Sequence, residues 1–478
     1  MLSVEKEVTF MSEAATPDNN PVPKKRKTMM AILISGAFVA ILNQTLLTTA
    51  LPHIMADLEL EAHIAQWLQS VFMLVNGIMI PITAFLIGRF TTRALFMTAL
   101  GLFTFGTIIC AVALNFGMLM TGRIFQAAGA GIILPLIQTV MFLIFPPEQR
   151  GRAMGMFGLV ISFAPAIGPT LSGYLVEQFP WRSLFYVVLP IVVIDLILAY
   201  FILKNVTNRT FPKLDRLSIV LSTGGFGGLL YGFSIAGGLG WGSAQVVVSL
   251  SLGAVTLTWF ILRQLKLKEP MLEFRIFKYP VFALTTSLGM IVFISMIGSA
   301  VILPIFMQDM LGYTAFESGL MMLPGAILMG MMSPVSGRLF DKFGARWLAI
   351  TGLGLLSITT FMFTNLSDET TFTYLAVVNA ARMLGIAMVM MPVTTAGLNQ
   401  LPDSLIPHGT AMNNTMRQVS GSVGTALLVT VMSTQMIPDA GMQGMIHGVN
   451  MSFATAGVFA VVGFVLAWFV KHPEKPAA

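Results

Sequence analysis

The stretch Pro81-Ile-Thr-Ala-Phe-Leu-Ile-Gly-Arg-Phe-Thr-Thr-Arg93 returns 253 residues later as Pro334-Val-Ser-Gly-Arg-Leu-Phe-Asp-Lys-Phe-Gly-Ala-Arg346. Each copy is an apolar run passing into a short basic turn. The first apolar runs of the two halves begin near 29 and 281, an offset of 252, and Gly151-Arg-Ala-Met154 returns as Gly409-Thr-Ala-Met412, an offset of 258. Nearly equal spacing across three landmarks means two related halves running in the same direction. Such parallel repeats predict a pseudo-two-fold axis along the membrane normal, with a cavity between the halves.

The chain around the repeat is unusually apolar. Of 478 residues, 56% are hydrophobic and 10% charged, and the mean hydropathy is +0.83. A soluble domain carries about 25% charged residues, so most soluble readings are excluded. Fourteen apolar runs recur, the first at about 29–51 and the last at about 450–470, each near the ~20 residues that cross a bilayer. They read as helices, because lipid-exposed backbone must satisfy its own hydrogen bonds and barrel strands would alternate. The fold class is therefore all-α membrane protein. The division is 1–28 as a solvated tail, 29–203 as a six-helix bundle, 204–280 as a linker with two extra transmembrane helices, 281–470 as the second six-helix bundle, and 471–478 as a second tail. The first run is too long for a signal peptide, and many more follow.

Charge placement orients the chain. The net charge is +6. With the N-terminus placed inside and the runs alternating, Arg182 is the lone basic residue in an outer loop. Arg123, Arg382 and Arg417 lie within spans, and the remaining Lys and Arg fall on the cytoplasmic side. Acids show no such bias, as the positive-inside rule expects. Both termini are expected in the cytoplasm and the chain in the plasma membrane. The basic surplus is a topology signal, so nucleic acid is not an expected partner.

Four motifs now carry a resemblance. The fifth run has Gly155, Ala164, Gly168-Pro169 and Ser172-Gly173 at fixed spacing. The fourth has Gly122-Arg123-Ile-Phe-Gln126. The turns after the second and tenth runs contain Arg89 and Arg93, and Gly337, Asp341, Lys342 and Arg346. The first run reads Leu42-Asn43-Gln44-Thr45. Together these resemble the major facilitator superfamily, specifically its fourteen-helix drug:proton antiporters of the EmrB and quaternary-ammonium exporter type, with Leu-Asn-Gln-Thr closest to the lincomycin-resistance branch. The resemblance implies a proton-coupled exporter of amphipathic small molecules working by alternating access. It gives Arg123 a part in proton coupling, makes the fifth helix a seal of the cavity, and makes the turns conformational latches. Two departures stand out. Gly88 replaces the acid expected in the first latch, and Asn43 stands where cation exporters of this class usually carry Asp.

The polar residues inside the spans are the candidate site. A rise of 1.5 Å per residue puts Asn43 roughly 21 Å up from one face and Arg123 roughly 9 Å down from the other, which is one layer in a core of about 30 Å. Asn43, Gln44, Arg123 and Gln126 are candidates for that layer. Asn76, Gln138, Arg382, Asn413 and Arg417 are further cavity candidates. Asp195 is the lone carboxyl well inside a span, chemically able to take and release a proton; Asp309 sits at an outer loop. Both are candidate coupling acids. Three arginines against one acid make the interior net positive, which suits an anionic or zwitterionic substrate. An alternative reading therefore keeps the fold and exports a specific anionic or zwitterionic metabolite, signal nucleotide or lipid. No span carries HExxH, a Ser/His/Asp set, a metal-ligand cluster or a phosphate-binding loop, so no enzyme, metal or cofactor is expected. A monomer with lipid, protons and small molecules as partners is expected.

Overall fold

The structure, a computed structural model, describes residues 26–470 except Asn208. The expected tails, apart from residues 26–28, lie outside the described residues. Fourteen long helices follow one another: α1 Arg26–Asp57, α2 Trp67–Arg89, α3 Thr92–Ala111, α4 Phe116–Ile144, α5 Arg150–Gln178, α6 Ser183–Ile202, α7 Arg216–Leu239, α8 Ala244–Lys266, α9 Pro280–Ile305, α10 Ala315–Phe343, α11 Ala345–Met362, α12 Phe372–Leu398, α13 Ile406–Thr434 and α14 Gly441–Ala467. Polar caps start several of them. Thr91, Asn115 and Thr371 accept first-turn N–H groups, and Thr314 forms a capping box with Glu317.

Among the described residues, thirteen helices are long and apolar enough to cross a membrane. The fourteenth, α13, has a more polar stretch holding Asn413, Asn414, Arg417 and Gln418. It packs against α2, α4, α7, α9 and α14, so its polar side meets protein and not lipid. Two boundaries differ from the sequence reading. α1 runs through Pro52 to Asp57. α14 begins at Gly441, well before 450, because the Asn450 side chain is satisfied by the Leu366 backbone, accepting its N–H at 3.1 Å and donating to its carbonyl at 3.0 Å.

The halves match contact for contact. In the first, α1 packs on α5, α2 on α4, and α3 on α4 and α6; in the second, α9 packs on α13, α10 on α12, and α11 on α12 and α14. Between the halves, α5 meets α10 as α13 meets α2. The helices alternate in direction, so the start of α1 and the end of α14 share one side, here called the terminal face. The opposite side is the far face.

The extra helices form a hairpin. Gly225 lies against Leu257 and Gly228 against Gly253, the close approach that small residues permit between membrane helices. α7 contacts α2 and α13, one from each half. Leu230 reaches Gly77 of α2, Trp67 of α2 stacks on Tyr231, and Trp241 donates to Thr430 of α13 at 2.7 Å. α8 shows Leu252, Val255 and Trp259 outward, as a lipid-facing helix would.

Candidate functional site

Arg123 is fully buried near the far end of α4. Its Nη1 donates to Asn43 Oδ1 on α1 at 2.8 Å and to Gln126 Oε1 one turn on at 3.1 Å, and its Nε donates to the Leu68 carbonyl of α2 at 3.2 Å. Gln126 in turn donates to Thr107 of α3 at 2.9 Å. The Phe72 ring lies 4.3 Å from the guanidinium carbon, a cation–π contact. The polar layer expected from helix depth is therefore present, with Asn43 and Arg123 in direct contact. Every acceptor is neutral, and Nη2 has no partner. A cavity of about 100 Å³ adjoins the guanidinium, lined by Gln44, Thr45, Gln69, Met73 and Arg123.

The second half repeats this arrangement. Arg382 on α12 is fully buried, donates from Nε to Thr360 Oγ1 of α11 at 3.2 Å, and donates from Nη2 to the Ser295 hydroxyl of α9 at 2.7 Å and to the Ser295 carbonyl. Arg382 lies 259 residues after Arg123, Ser295 lies 252 after Asn43, and Thr360 lies 253 after Thr107. These match the repeat offsets, so the two arginines occupy pseudo-equivalent places on α4 and α12. Thr107, Ser295 and Thr360 were not singled out in the sequence, although the repeat offset alone pairs the two threonines.

The other cavity candidates separate. Arg417 donates from Nη2 to the Met390 carbonyl at 3.3 Å and to Thr394 Oγ1, both on α12. Asn413, one turn away, accepts from Thr286 of α9 at 3.4 Å. Gln138 of α4 accepts from Asn414 of α13 at 2.7 Å, and Thr139 pairs with Thr410 at 2.7 Å. Gln138 thus bridges the halves. Asn76 is buried on α2, its backbone against Gly131 of α4.

At the terminal face the halves are fastened together. Asp341, at the end of α10, accepts from the Gly151 N–H at 2.8 Å and the Arg152 N–H at 2.9 Å, capping the first turn of α5 across the interface. A carboxylate at a helix N-terminus is favoured by both hydrogen bonding and the helix dipole. Arg150 donates to Asn399 Oδ1 at 3.0 Å and pairs with Asp403 at 3.5 Å in the other half. Gly337 lies directly against the Gly151 carbonyl, and Gly155 against Ser333. Higher on α5, Ala164 is buried, Gly168 adjoins Thr45 of α1, Pro169 follows within the helix, and Ser172 donates to the Leu46 carbonyl at 2.6 Å. The small residues of α5 thus serve two partners, α10 below and α1 above. Gly173 meets nothing within 4 Å and does not share that role. Lys342 lies over Phe343, and Arg346 Nε has no partner. Gly344, with φ 77°, is the lone residue between α10 and α11, a conformation glycine adopts without strain.

The first turn copy is held differently. The Gly88 carbonyl accepts from Thr210 N at 3.0 Å and Phe211 N at 3.3 Å. Thr92 Oγ1 meets Thr207 Oγ1 at 3.0 Å, and Thr92 N donates to Asn205 Oδ1 at 2.9 Å. Arg89 lies over the Phe211 ring and Arg93 over Tyr200. Where an acid is missing, the segment after α6 therefore binds the turn.

Asp195 is buried on α6 against Gly36 of α1 and has one carboxyl oxygen unpartnered; Ser35 is its polar neighbour. Gly36 lies two turns from Asn43 on the same helix, which is about 10 Å along the axis. The structure does not bring Asp195 to Arg123. Asp309 is exposed in the π-turn Phe306–Met310. Among the described residues the buried charged side chains are Arg123, Asp195, Arg382 and Arg417.

Comparison with known proteins adds four findings. The family model described as Major Facilitator Superfamily matches residues 33–425. The uncharacterized MFS-type transporter YcnB of Bacillus subtilis (strain 168) is 58% identical, over 95% of this chain and 97% of its own. The lincomycin resistance protein LmrB of the same strain is 42% identical, over 93% of this chain and 95% of its own. Among solved structures, the human organic anion transporter MFSD10 (TETRAN) superposes with a TM-score of 0.68 at 14% identity, over 93% of this chain and all of that one, a likeness of fold.

Proposed function

The chain belongs to the Major Facilitator Superfamily, a family of membrane transporters, and on that premise we propose that it exports amphipathic small molecules in exchange for protons. The halves rock about the space between them, exposing it to one side of the plasma membrane at a time. The terminal face is cytoplasmic, as the positive-inside pattern argues. The observation that carries this reading is the asymmetry of the interface. Hydrogen bonds to Asp341 and Gln138, from Arg150, and between Thr139 and Thr410 join the halves toward the terminal face, whereas the cavity beside Arg123 lies toward the far face. An exporter closed to the cytoplasm and open outward has this form. Arg123 supplies a fixed charge in the substrate layer. Asp195, against Gly36 about two turns along α1 from Asn43, carries the proton, and Asp309 meets solvent at the outer end.

The relative named for lincomycin resistance makes lincomycin the first compound to test. Purified protein in liposomes with an imposed proton gradient should release protons when lincomycin is added, and should move it against its gradient. Release with none of a panel of neutral, cationic and anionic compounds would sink the reading.

A further inference from the structure

A guanidinium keeps its charge at any physiological pH, and a charge buried in a membrane helix needs compensation. Among the described residues Arg123 finds no charged partner. Its acceptors are two side-chain amides and a backbone carbonyl, and one terminal nitrogen is left over. The nearest described acid inside the helices, Asp195, sits about two helical turns away along α1. The neighbouring cavity of about 100 Å³ has room for roughly three waters, or one carboxylate-sized group. Its lining is built for that guest: Gln44 and Gln69 bring carboxamides, Thr45 a hydroxyl and Arg123 the charge. Met73 completes the lining and is 47% exposed, a flexible apolar side chain of the kind that adapts to a tail. It lies one turn along α2 from Gly77, where the Gln418 side chain of α13 makes contact. The pseudo-equivalent Arg382 likewise leaves one terminal nitrogen, Nη1, unpartnered while Ser295 takes the other twice, so the case for Arg123 rests on the cavity that adjoins it.

We propose that the cavity beside Arg123 binds the anionic headgroup of an amphipathic substrate, a carboxylate or a group of like charge and size. The anion accepts from the free Nη2 of Arg123 and from the carboxamide N–H groups of Gln44 and Gln69, while the Thr45 hydroxyl stays donated to the Leu42 carbonyl, and its apolar tail leaves past Met73. Asn43 is what keeps the site open, since a carboxylate at that position would neutralise Arg123 from within. This assignment rests on the exporter reading for its physiological meaning, but the site is testable by binding alone.

Three probes share one tail: dodecanoate, dodecanamide and dodecyltrimethylammonium. Binding is measured calorimetrically at pH 8 to the full chain in phosphatidylcholine nanodiscs, with empty nanodiscs as the reference for partitioning. Dodecanoate should bind about 10- to 100-fold more tightly than the other two, the scale of one hydrogen-bonded charge contact. Asn43→Asp should remove that preference without lowering the unfolding temperature, because it supplies an internal counter-ion 2.8 Å from Nη1 in place of the amide oxygen. Arg123→Gln should remove it as well. Equal binding of dodecanoate and dodecanamide overturns the proposal, as does full dodecanoate preference in folded Asn43→Asp. Proton-driven transport of neutral or cationic compounds in liposomes, with no anion preference in nanodiscs, leaves the exporter reading standing and this site refuted. Anion preference without transport of any compound does the reverse.

Discussion

Asn43 and Asp195 show how one side chain sets the chemistry of a whole helix face. Asn43 offers an uncharged oxygen to Arg123, so the charge there is not cancelled. Asp195, on α6 and against Gly36 two turns along α1 from Asn43, is buried with an unpartnered oxygen. If it is the proton carrier, Asp195→Asn should fold, still bind substrate, and reduce substrate-driven proton release to the level of protein-free liposomes. Undiminished release would exclude it. A different acid controls the far face. Asp57, beyond the span that ends at Leu47, accepts at 2.9 Å from both the Trp181 indole and Arg182. These bonds, the indole's first, hold its carboxyl below the usual carboxylate range. A depressed folded pKa contributes stability that is full above the unfolded value, near 4, and is lost as pH falls through the folded value. The unfolding temperature should therefore fall more steeply below about pH 4 in the parent than in Asp57→Asn. Parallel curves would show that the contact carries no stability.

At the scale of elements, α5 is the helix on which both halves depend. Its first turn is capped by Asp341 of the other half, and its upper part lies on α1. Asp341→Asn keeps one acceptor but loses the charge that suits a helix N-terminus, at a cost of about 0.5–2 kcal/mol to the closed terminal face. Spin labels on Arg152→Cys and Arg338→Cys, both exposed, should report a larger fraction of long distances in that variant. An unchanged distribution would mean that Arg150 and the close glycine packing hold the face alone. The motifs made α5 legible in the sequence as a helix of small residues. They did not show that its glycines serve two different neighbours, nor that Gly173 serves none, because spacing gives a face and not the element opposite it. The turn after α2 is a similar case. The missing acid at Gly88 was visible, but the replacement, a linker folded back to bind Gly88 and Thr92, depends on contacts more than 110 residues apart.

For the whole molecule, α7 is the piece that repeat arithmetic could not place. It packs on α2 and α13 together, so it covers the seam between the halves on one side. Leu230, 5% exposed, fills the notch at Gly77. Leu230→Ala should open a void at that three-helix junction and destabilise the protein by about 2–4 kcal/mol, read from thermal unfolding in detergent. A cost below about 1 kcal/mol would mean that the seam closes without α7.

Hydropathy, charge placement and the recurring offset determined that the chain is helical, lies in a membrane, and is built as two related sextets with an inserted pair. Each of these follows from a property that accumulates along the chain: apolar length, loop charge and spacing. Height within the membrane also accumulates, at a fixed rise per residue, so the shared layer of Asn43 and Arg123 could be found from numbering. Rotation about each helix and the choice of neighbours do not accumulate in this way. Only the tertiary structure decided that Arg123 meets neutral partners beside a cavity, that Ser295 and Thr360 hold Arg382, and that Asp195 stands apart from both. Helix azimuth is set by packing against several other helices at once, and no single run of residues contains that information.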